Sequence, residues 1–228
     1  MMNLSKSLKV LNPAEVKERI HIIGCGSVGS TIAELLARYG FTKFNLYDFD
    51  TVEAKNIVNQ MFTEGHIGMN KCDALADILY NINPESKKNV RLFKEGWNGQ
   101  NLSGYVFLAV DNIEVRQKIV DQNKFNMNIK AMFDVRTALY DAQLYAADWA
   151  DNDQRKAFRD SMNFSHEEAT AEVPVSACGT VLGVAPTVRM ASTMTVINFV
   201  NLIKKKVLKK MILVNPFDLD REDMIFAV

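Results

Sequence analysis

The chain has few cysteines and no net charge, and each absence excludes a class of protein. Its three cysteines are an odd number and lie far apart, so they predict no disulfide framework and fit a reducing compartment. Lysine plus arginine and aspartate plus glutamate both total 27. The whole chain therefore offers no electrostatic case for binding nucleic acid or an anionic membrane.

Long hydrophobic runs are also missing. The N-terminal segment MMNLSKSLKVLNPAEVKER has no apolar central region, so it predicts no signal peptide. The most apolar later stretch, 185–203, contains Arg189 and several polar residues, and it predicts a buried helix, not a membrane span. We therefore expect a cytoplasmic protein. With 48% hydrophobic residues the chain can bury a sizeable core, and 228 residues favour a single domain.

The stretch 19–60 has the pattern of a nucleotide-binding βαβ unit. An apolar strand at 20–23 precedes a glycine turn and a segment of helical period at 28–39. A second strand at 43–47 ends just before Asp48. The glycines follow G-x-G-x-x-G after a strand and before a helix, which is the context that this fingerprint requires.

Each glycine of the fingerprint has a physical reason. Gly24 allows the tight turn, Gly26 lets the main chain approach a phosphate, and Gly29 lets the helix pack closely on the strand. The N–H groups at the helix start then face the anion. Asp48, 19 residues after Gly29, can accept hydrogen bonds from ribose hydroxyls. The pattern predicts nucleotide binding but not which nucleotide, because dehydrogenases share it.

Three further motifs follow. They are D-F-D-T-V at 48–52, N-I-V-N-Q at 56–60 and I-G-M-N-K at 67–71. Together they resemble the ThiF/MoeB/HesA superfamily, which includes the ubiquitin-activating enzymes. The resemblance covers 20 to about 116 well and 178–200 more loosely. It implies use of ATP and magnesium to adenylate the C-terminal carboxylate of a small ubiquitin-like or sulfur-carrier protein or a peptide, by a homodimer.

The expected fold is α/β, with a Rossmann-like, doubly wound, mostly parallel sheet and antiparallel C-terminal additions. Periodicity predicts helices at 71–82, 113–124, 151–162 and 185–206, and strands at 89–93, 105–110, 130–135, 140–148, 211–214 and 223–228. Residues 1–18 predict a lead-in with a helix start at Asn12-Pro13. Residues 163–173 predict a crossover loop, which in the resembled family covers the acceptor's C-terminal tail.

The resemblance assigns the site residues. The ATP-binding set would be Gly24, Gly26, Gly29, Ser30, Asp48, Asp50, Asn56, Gln60 and Lys71. Several members have alternative explanations in the sequence itself. Asp50 could be an ordinary turn residue, and Asn56 and Gln60 could be capping residues on one helix face.

Two charged residues would act on the phosphates. Lys71, at a helix start, would offset charge that builds toward pyrophosphate; the alternative is a surface lysine at the unfavourable end of the helix dipole. Asp111, in the context D-N-x-x-x-R, would bind magnesium, which needs only one or two carboxylates beside phosphate oxygens. The alternative for Asp111 is a helix N-cap for the segment that begins at Ile113.

The chain departs from the family pattern at two arginines. Asn59 stands where most members have arginine, and an amide lacks the charge and the forked donors of a guanidinium. No N-terminal arginine pattern is present, since Arg19 lies too close to the first strand. Lys55, Lys71 or a partner could compensate. Otherwise turnover would be slow. Two rival functions stay open: a nucleotide-binding scaffold that has lost turnover, and an NAD-dependent oxidoreductase, which would leave the D-x-D-x-V motif unexplained.

Cys178 precedes the last long helix and leaves two possibilities open. In sulfur-transfer members a cysteine here can link covalently to the activated protein, and otherwise it is a packed small residue. Cys25 and Cys72 are expected to be structural. No C-x-x-C pair is present and the three histidines form no ligand pattern, so we expect no zinc.

Overall fold

The computed structural model of the protein describes residues 2–165, 167–168, 183–218 and 225–228. Its framework is an eight-stranded sheet with helices on both faces. The strands are β1 (Ile20–Ile23), β2 (Phe44–Tyr47), β3 (Arg91–Phe93), β4 (Gly104–Leu108), β5 (Ile129–Thr137), β6 (Ala142–Asp148), β7 (Met211–Val214) and β8 (Ile225–Ala227). The helices are α1 (Ser27–Arg38), α2 (Lys71–Ile82), α3 (Ile113–Asn123), α4 (Asn152–Asp160) and α5 (Ala185–Lys205).

The strand order is β3-β2-β1-β4-β5-β6-β7-β8. The pairs from β3 to β5 are parallel, and β6, β7 and β8 continue the sheet antiparallel. The predicted fold class is therefore confirmed. The chain turns to one side of β1 to form β2 and β3, and to the other side to form β4. In open sheets of this kind, ligands bind outside the carboxyl ends of the strands at such a reversal.

Both faces of the central strands are buried, which explains the continuous apolar run of β1. Ile22 belongs to the cluster with α1, α2 and α5, whereas the next residue, Ile23, belongs to the cluster with α3 and α4. Successive side chains of a strand alternate between faces, so a strand covered on both sides needs no polar position.

Helix α5 packs across the first of these two clusters. Phe199 is fully buried and meets the rings of Tyr105, Phe107 and Phe133 edge-on. Asn198 is buried too, and its amide exchanges two hydrogen bonds of 2.9 Å with the main chain of Lys209. In the described parts of the chain, no helix has both the length and the apolarity that spanning a membrane requires.

The element bounds differ from the predictions mainly at their ends. Strand β4 ends at Leu108, not at residue 110, because its partner β1 ends opposite it at Ile23. The predicted helix start in the lead-in is a single 3-10 turn, Pro13–Glu15, capped by Asn12. Much of the predicted crossover loop, 166 and 169–173, lies outside the described residues, as do residues 223–224 of the last predicted strand.

A buried polar network joins β1 to β2 near the amino ends of the strands. His21 is 1% exposed, and its Nδ1 lies 3.0 Å from the Tyr47 hydroxyl. The Ser103 N–H donates to His21 Nε2 at 3.3 Å, which places the proton of the neutral ring on Nδ1. Burial, and secondarily the charge of Arg19, lower the pKa of His21 to about 4. The imidazole is therefore neutral in the folded protein at neutral pH.

This depressed pKa predicts an acid-sensitive fold. Between the unfolded pKa near 6.5 and the folded pKa of about 4, the unfolded chain holds a proton at His21 that the folded protein does not. The free energy of unfolding should therefore fall as the pH drops through this window, by about 2 to 3 kcal/mol from pH 7 to pH 4.5. Urea unfolding of wild type and His21→Gln at both pH values measures the difference. Equal pH dependence in the two proteins would contradict the assignment.

Candidate functional site

The glycine loop after β1 is built as the fingerprint requires. Gly24 has φ +93°, and a Cβ there would meet the carbonyl carbon of Ala109 at 2.6 Å. A Cβ on Gly29 would lie 1.9 Å from the Gly24 carbonyl oxygen, so α1 packs directly on the turn. Gly26 differs from both, since a Cβ there would have no neighbour within 4 Å. The loop thus leaves open space at Gly26, at the N-cap of α1, where a phosphate would approach.

Asp48 joins this loop to the end of β2. Its Oδ2 accepts the Cys25 N–H at 2.7 Å, and its Oδ1 accepts the Asp50 N–H at 2.9 Å. Burial raises the pKa of the carboxyl above its usual range, and the hydrogen bonds from these two N–H groups act against that rise. A carboxylate can accept about four hydrogen bonds, so capacity for ribose hydroxyls is left.

Lys71 and Asp50 form an ion pair at the same edge of the sheet. Lys71 is the first residue of α2 and is 8% exposed, and its Nζ lies 2.7 Å from Asp50 Oδ2. Asn70 caps the helix by accepting the Cys72 N–H at 2.9 Å. A lysine at a helix N-terminus opposes the helix dipole, and here the partner carboxylate compensates. The result is a buried cation held beside the loop rather than a surface lysine.

Asp111 follows β4 across the reversal from β1. Its neighbour Asn112 is the N-cap of α3, accepting the Val115 N–H at 3.0 Å. The alternative assignment of Asp111 as the cap is therefore wrong. Asp111 is exposed, and within the described part of the chain its carboxylate has no hydrogen-bond or ion-pair partner. The described residues contain no group of three or more metal-binding side chains. One carboxylate with phosphate oxygens still fits what magnesium prefers.

The position of Asp111 is fixed by a buried ion network that sequence reasoning missed. Arg116, in the first turns of α3, donates to the Val110 carbonyl at 2.8 Å and to the Asp134 carboxylate. Asp134 on β5 is fully buried and also accepts from Arg136 at 2.7 Å. Two guanidinium groups thus compensate one buried carboxylate. The signal available in the sequence was a lone aspartate inside an apolar strand.

Three further polar residues of the expected nucleotide site, Ser30 on α1 and Asn56 and Gln60 between β2 and α2, have mixed roles. Asn56 accepts the Glu53 N–H at 2.9 Å, which is a capping role. Ser30 is fully buried, and its hydroxyl accepts the Met61 N–H at 3.2 Å. Gln60 Oε1 is buried and has no hydrogen-bond partner within the described structure. An unsatisfied buried acceptor is costly, and a ligand that donates a hydrogen bond would satisfy it. The nucleotide contacts assigned to these three residues stay predictions.

Asn59, the departure from the family pattern, contacts the segment that leads into α5. Its Nδ2 donates to the Gly183 carbonyl at 3.0 Å. The side chain therefore ties the 56–61 tract to the approach of the last helix.

Two of the three cysteines are described, and both are completely buried. The Cys72 thiol lies 3.5 Å from the Leu46 and Asp48 carbonyl oxygens. Burial raises the pKa of Cys25 well above the usual thiol range. Both contribute to the core, as expected for structural cysteines. Cys178 lies outside the described residues.

The geometry fits a nucleotide-binding α/β protein, and comparison with known proteins identifies which group. Residues 14–225 match the ThiF family. The chain belongs to the ThiF family. The matched range includes the glycine loop, Asp48, Lys71 and Asp111.

Two relatives of this ThiF-family chain are enzymes named ubiquitin-like modifier-activating enzyme 5. The protein from Bombyx mori is 34% identical in an alignment of 136 residues that covers 52% of this chain and 34% of that protein. The protein from Arabidopsis thaliana is 32% identical in an alignment of 143 residues that covers 52% of this chain and 32% of that protein. The match thus spans about a third of the length of these relatives.

Solved structures share the fold. Escherichia coli MccB in a crystal structure with ATP has a TM-score of 0.69 at 17% identity, covering 95% of this chain and 65% of MccB. PaaA has a TM-score of 0.64 at 18% identity, covering 89% of this chain and 62% of PaaA. At such identity the likeness shows the fold alone.

Alanine substitutions at Gly26 and Gly29 can be compared directly, because a Cβ would have open space at Gly26 and none at Gly29. Gly26→Ala should leave the free energy of unfolding within about 0.5 kcal/mol of wild type. It should weaken binding of the nucleotide that the glycine fingerprint predicts, because the methyl group occupies the path expected for a phosphate. Gly29→Ala should destabilise the fold by about 1 to 3 kcal/mol, because its Cβ overlaps the Gly24 carbonyl. Urea unfolding and equilibrium nucleotide binding separate the two effects. Equal destabilisation by both substitutions would contradict this division of roles.

Proposed function

We propose that the protein uses ATP and magnesium to adenylate the C-terminal carboxylate of a small ubiquitin-like or sulfur-carrier protein or of a peptide. The observation that carries the proposal is the cluster at the carboxyl edge of the sheet. There the glycine loop, the Asp48 carboxylate bonded to it and the buried Lys71–Asp50 pair lie together. The homodimer that the family resemblance implies belongs to the same proposal.

Each residue of the proposed site would have a role in binding ATP that follows from its chemistry. The N–H groups at the start of α1 bind phosphate oxygens, and Asp48 accepts from the ribose hydroxyls. Lys71 stabilises the negative charge that develops on the leaving phosphates. Asp111 would hold the magnesium ion, which when bound neutralises part of the phosphate charge.

The reaction itself needs positioning more than a general base. A carboxylate oxygen of the acceptor attacks the α-phosphorus, and a new bond between this oxygen and phosphorus forms. The bond from the α-phosphorus to the bridging oxygen breaks, and pyrophosphate leaves with the electron pair. The product is an acyl-adenylate.

The comparisons support this class of substrate. The relatives are named for activating a ubiquitin-like modifier, and MccB has been solved with ATP and with MccA. The chain covers only part of these proteins, so the acceptor is proposed as a chemical class.

A nucleotide-binding scaffold without turnover is the second candidate, and Asn59 motivates it. The Asn59 amide bonds to Gly183, and the guanidinium usual at this position is absent. Arg19 cannot replace it, because Arg19 lies at the amino ends of the strands and donates to the Asn89 carbonyl at 2.6 Å. Such a scaffold would bind ATP but would not exchange pyrophosphate.

The first test is thermal unfolding with magnesium-ATP, with NAD and without ligand. At a hundredfold excess over Kd, a ligand that binds only the folded state adds about 2.7 kcal/mol, a rise in Tm of roughly 5 to 10 °C for this chain length. We expect the rise with magnesium-ATP alone and a smaller rise in Asp48→Asn, which lacks the carboxylate. A rise with NAD alone would overturn the proposal in favour of an oxidoreductase.

The same preparation separates the enzyme from the scaffold. ATP–pyrophosphate exchange would be measured with a panel of ubiquitin-fold proteins and short peptides, each with a free or an amidated C-terminus. Exchange with a free carboxylate and none with its amide supports adenylation. ATP binding with no exchange across the panel supports the scaffold.

The role of Lys71 has its own test. Lys71→Met keeps most of the volume and removes the charge, and Asp50, half exposed, stays hydrated. Magnesium-ATP affinity should fall about tenfold to a hundredfold, as for loss of a charged hydrogen bond. The control is Lys94→Met. It breaks a surface ion pair of 2.7 Å between Lys94 and Asp73, and Asp73 lies on helix α2, as Lys71 does. Affinity in Lys71→Met equal to that of the control would contradict the assignment.

A further inference from the structure

Arg189 is a cation next to the proposed site that pairs with no carboxylate of the described residues. It lies in the first turns of α5 and is half-buried. Its Nη1 donates to the Thr31 hydroxyl at 2.8 Å and contacts the Met61 sulfur. Among the described residues no carboxylate lies within ion-pair distance of this guanidinium. Thioether sulfur is a weak acceptor, so a group with five N–H donors has one good partner.

The lysines that could stand in for the missing arginine are already paired. Lys71 is bound to Asp50 at 2.7 Å. Lys55 is exposed, and its Nζ lies 2.9 Å from the Glu53 carboxylate on the same surface turn. Arg189 is therefore the cation near the 59–61 tract whose charge is uncompensated within the described structure.

The contacts of Arg189 connect it to the N-terminus of α1, where a phosphate is expected to bind. The Thr31 hydroxyl that accepts from Arg189 itself donates to the Ser27 carbonyl at 2.8 Å. Ser27 is the first residue of α1, directly after the open position at Gly26. One hydroxyl thus links the guanidinium to the carbonyl of the first residue of α1. An arginine side chain has several rotatable bonds, so a rotamer change can turn the guanidinium from Thr31 toward this end of α1.

Asn59, at the position where most of the family has arginine, and Arg189 on α5 belong to segments that contact each other in the fold. Asn59 Nδ2 donates to the Gly183 carbonyl, just before α5 begins. Met61, two residues after Asn59, contacts Arg189 and donates its N–H to Ser30 on α1. The 59–61 tract, the start of α1 and the start of α5 therefore form one junction.

We propose that Arg189 supplies to the nucleotide phosphates the guanidinium that this chain lacks at position 59. The inference rests on the proposed function, since it presupposes ATP at the glycine loop. It assigns to α5 a phosphate-binding residue, and it explains how an amide at position 59 is compatible with a working site. The forked donors suit a phosphate with two free oxygens.

The test compares Arg189→Gln with Arg38→Gln, which removes the same charge at the far end of α1. Arg38 is largely exposed and pairs only with Glu34 one turn away in the described structure. Binding of magnesium-ATP would be measured by calorimetry, and binding of adenosine by ligand-observed NMR. Arg189→Gln should lower ATP affinity about tenfold to a hundredfold and leave adenosine affinity unchanged. Arg38→Gln should change neither.

A second variant separates charge from packing. Arg189→Lys keeps the charge and the aliphatic stem but loses the fork, so its ATP affinity should lie between wild type and Arg189→Gln. Equal losses for ATP and adenosine in Arg189→Gln would mean that Arg189 only shapes the site, and would overturn the inference. Unchanged ATP affinity would overturn it as well. Failure of wild type to bind ATP is a different outcome, because it removes the proposed function itself.

Discussion

The hydrogen bond from the Cys25 N–H to the Asp48 carboxylate is the contact on which the site depends. Beside it the Gly24 N–H donates to the Tyr47 carbonyl at 2.9 Å, so the loop after β1 is bonded to the end of β2 at two points. The second oxygen of Asp48 accepts the Asp50 N–H and sets the turn that carries Asp50 to Lys71. One carboxylate thereby organises the loop, the strand end and the cation.

The end of β4, which lies across β1 from the end of β2, is held in a different way. Arg116 binds the carbonyl just after β4 and the buried Asp134 together, which fixes the chain where Asp111 begins the turn into α3. Because Asn112 performs the capping, the Asp111 carboxylate stays available. A neutral acceptor at the cap, Asn112, and a buried ion network behind it thus leave the Asp111 carboxylate exposed. The ends of β2 and β4 are therefore held by two separate sets of contacts.

Local sequence patterns predicted most of the framework. The helix at 71–82 and the strand at 211–214 are observed with the predicted bounds, because hydrophobic period, caps and breakers act over a few residues. Errors arose where an end depends on a distant partner. Strand β4 ends at the residue that pairs with the last residue of its neighbour β1. The helix predicted to start in the lead-in is only a 3-10 turn. Polar side chains were harder still: the sequence offered a cap and a ligand contact as roles for Asn56, and the structure adds the hydrogen bond from the Glu53 N–H while the nucleotide contact stays a prediction.

The sequence by itself determined the βαβ unit, the three glycines and the motifs that place the chain in its family. These depend on backbone conformation and hydrophobic period, which neighbouring residues control. Only the tertiary structure decided that Lys71 pairs with Asp50 and that Asn112, not Asp111, caps α3. It also brought Arg189 to Thr31 across 158 residues of chain. The contact of Arg189 with Thr31 follows from the packing of α5 on α1, and packing is set by the burial of the whole core rather than by any local pattern.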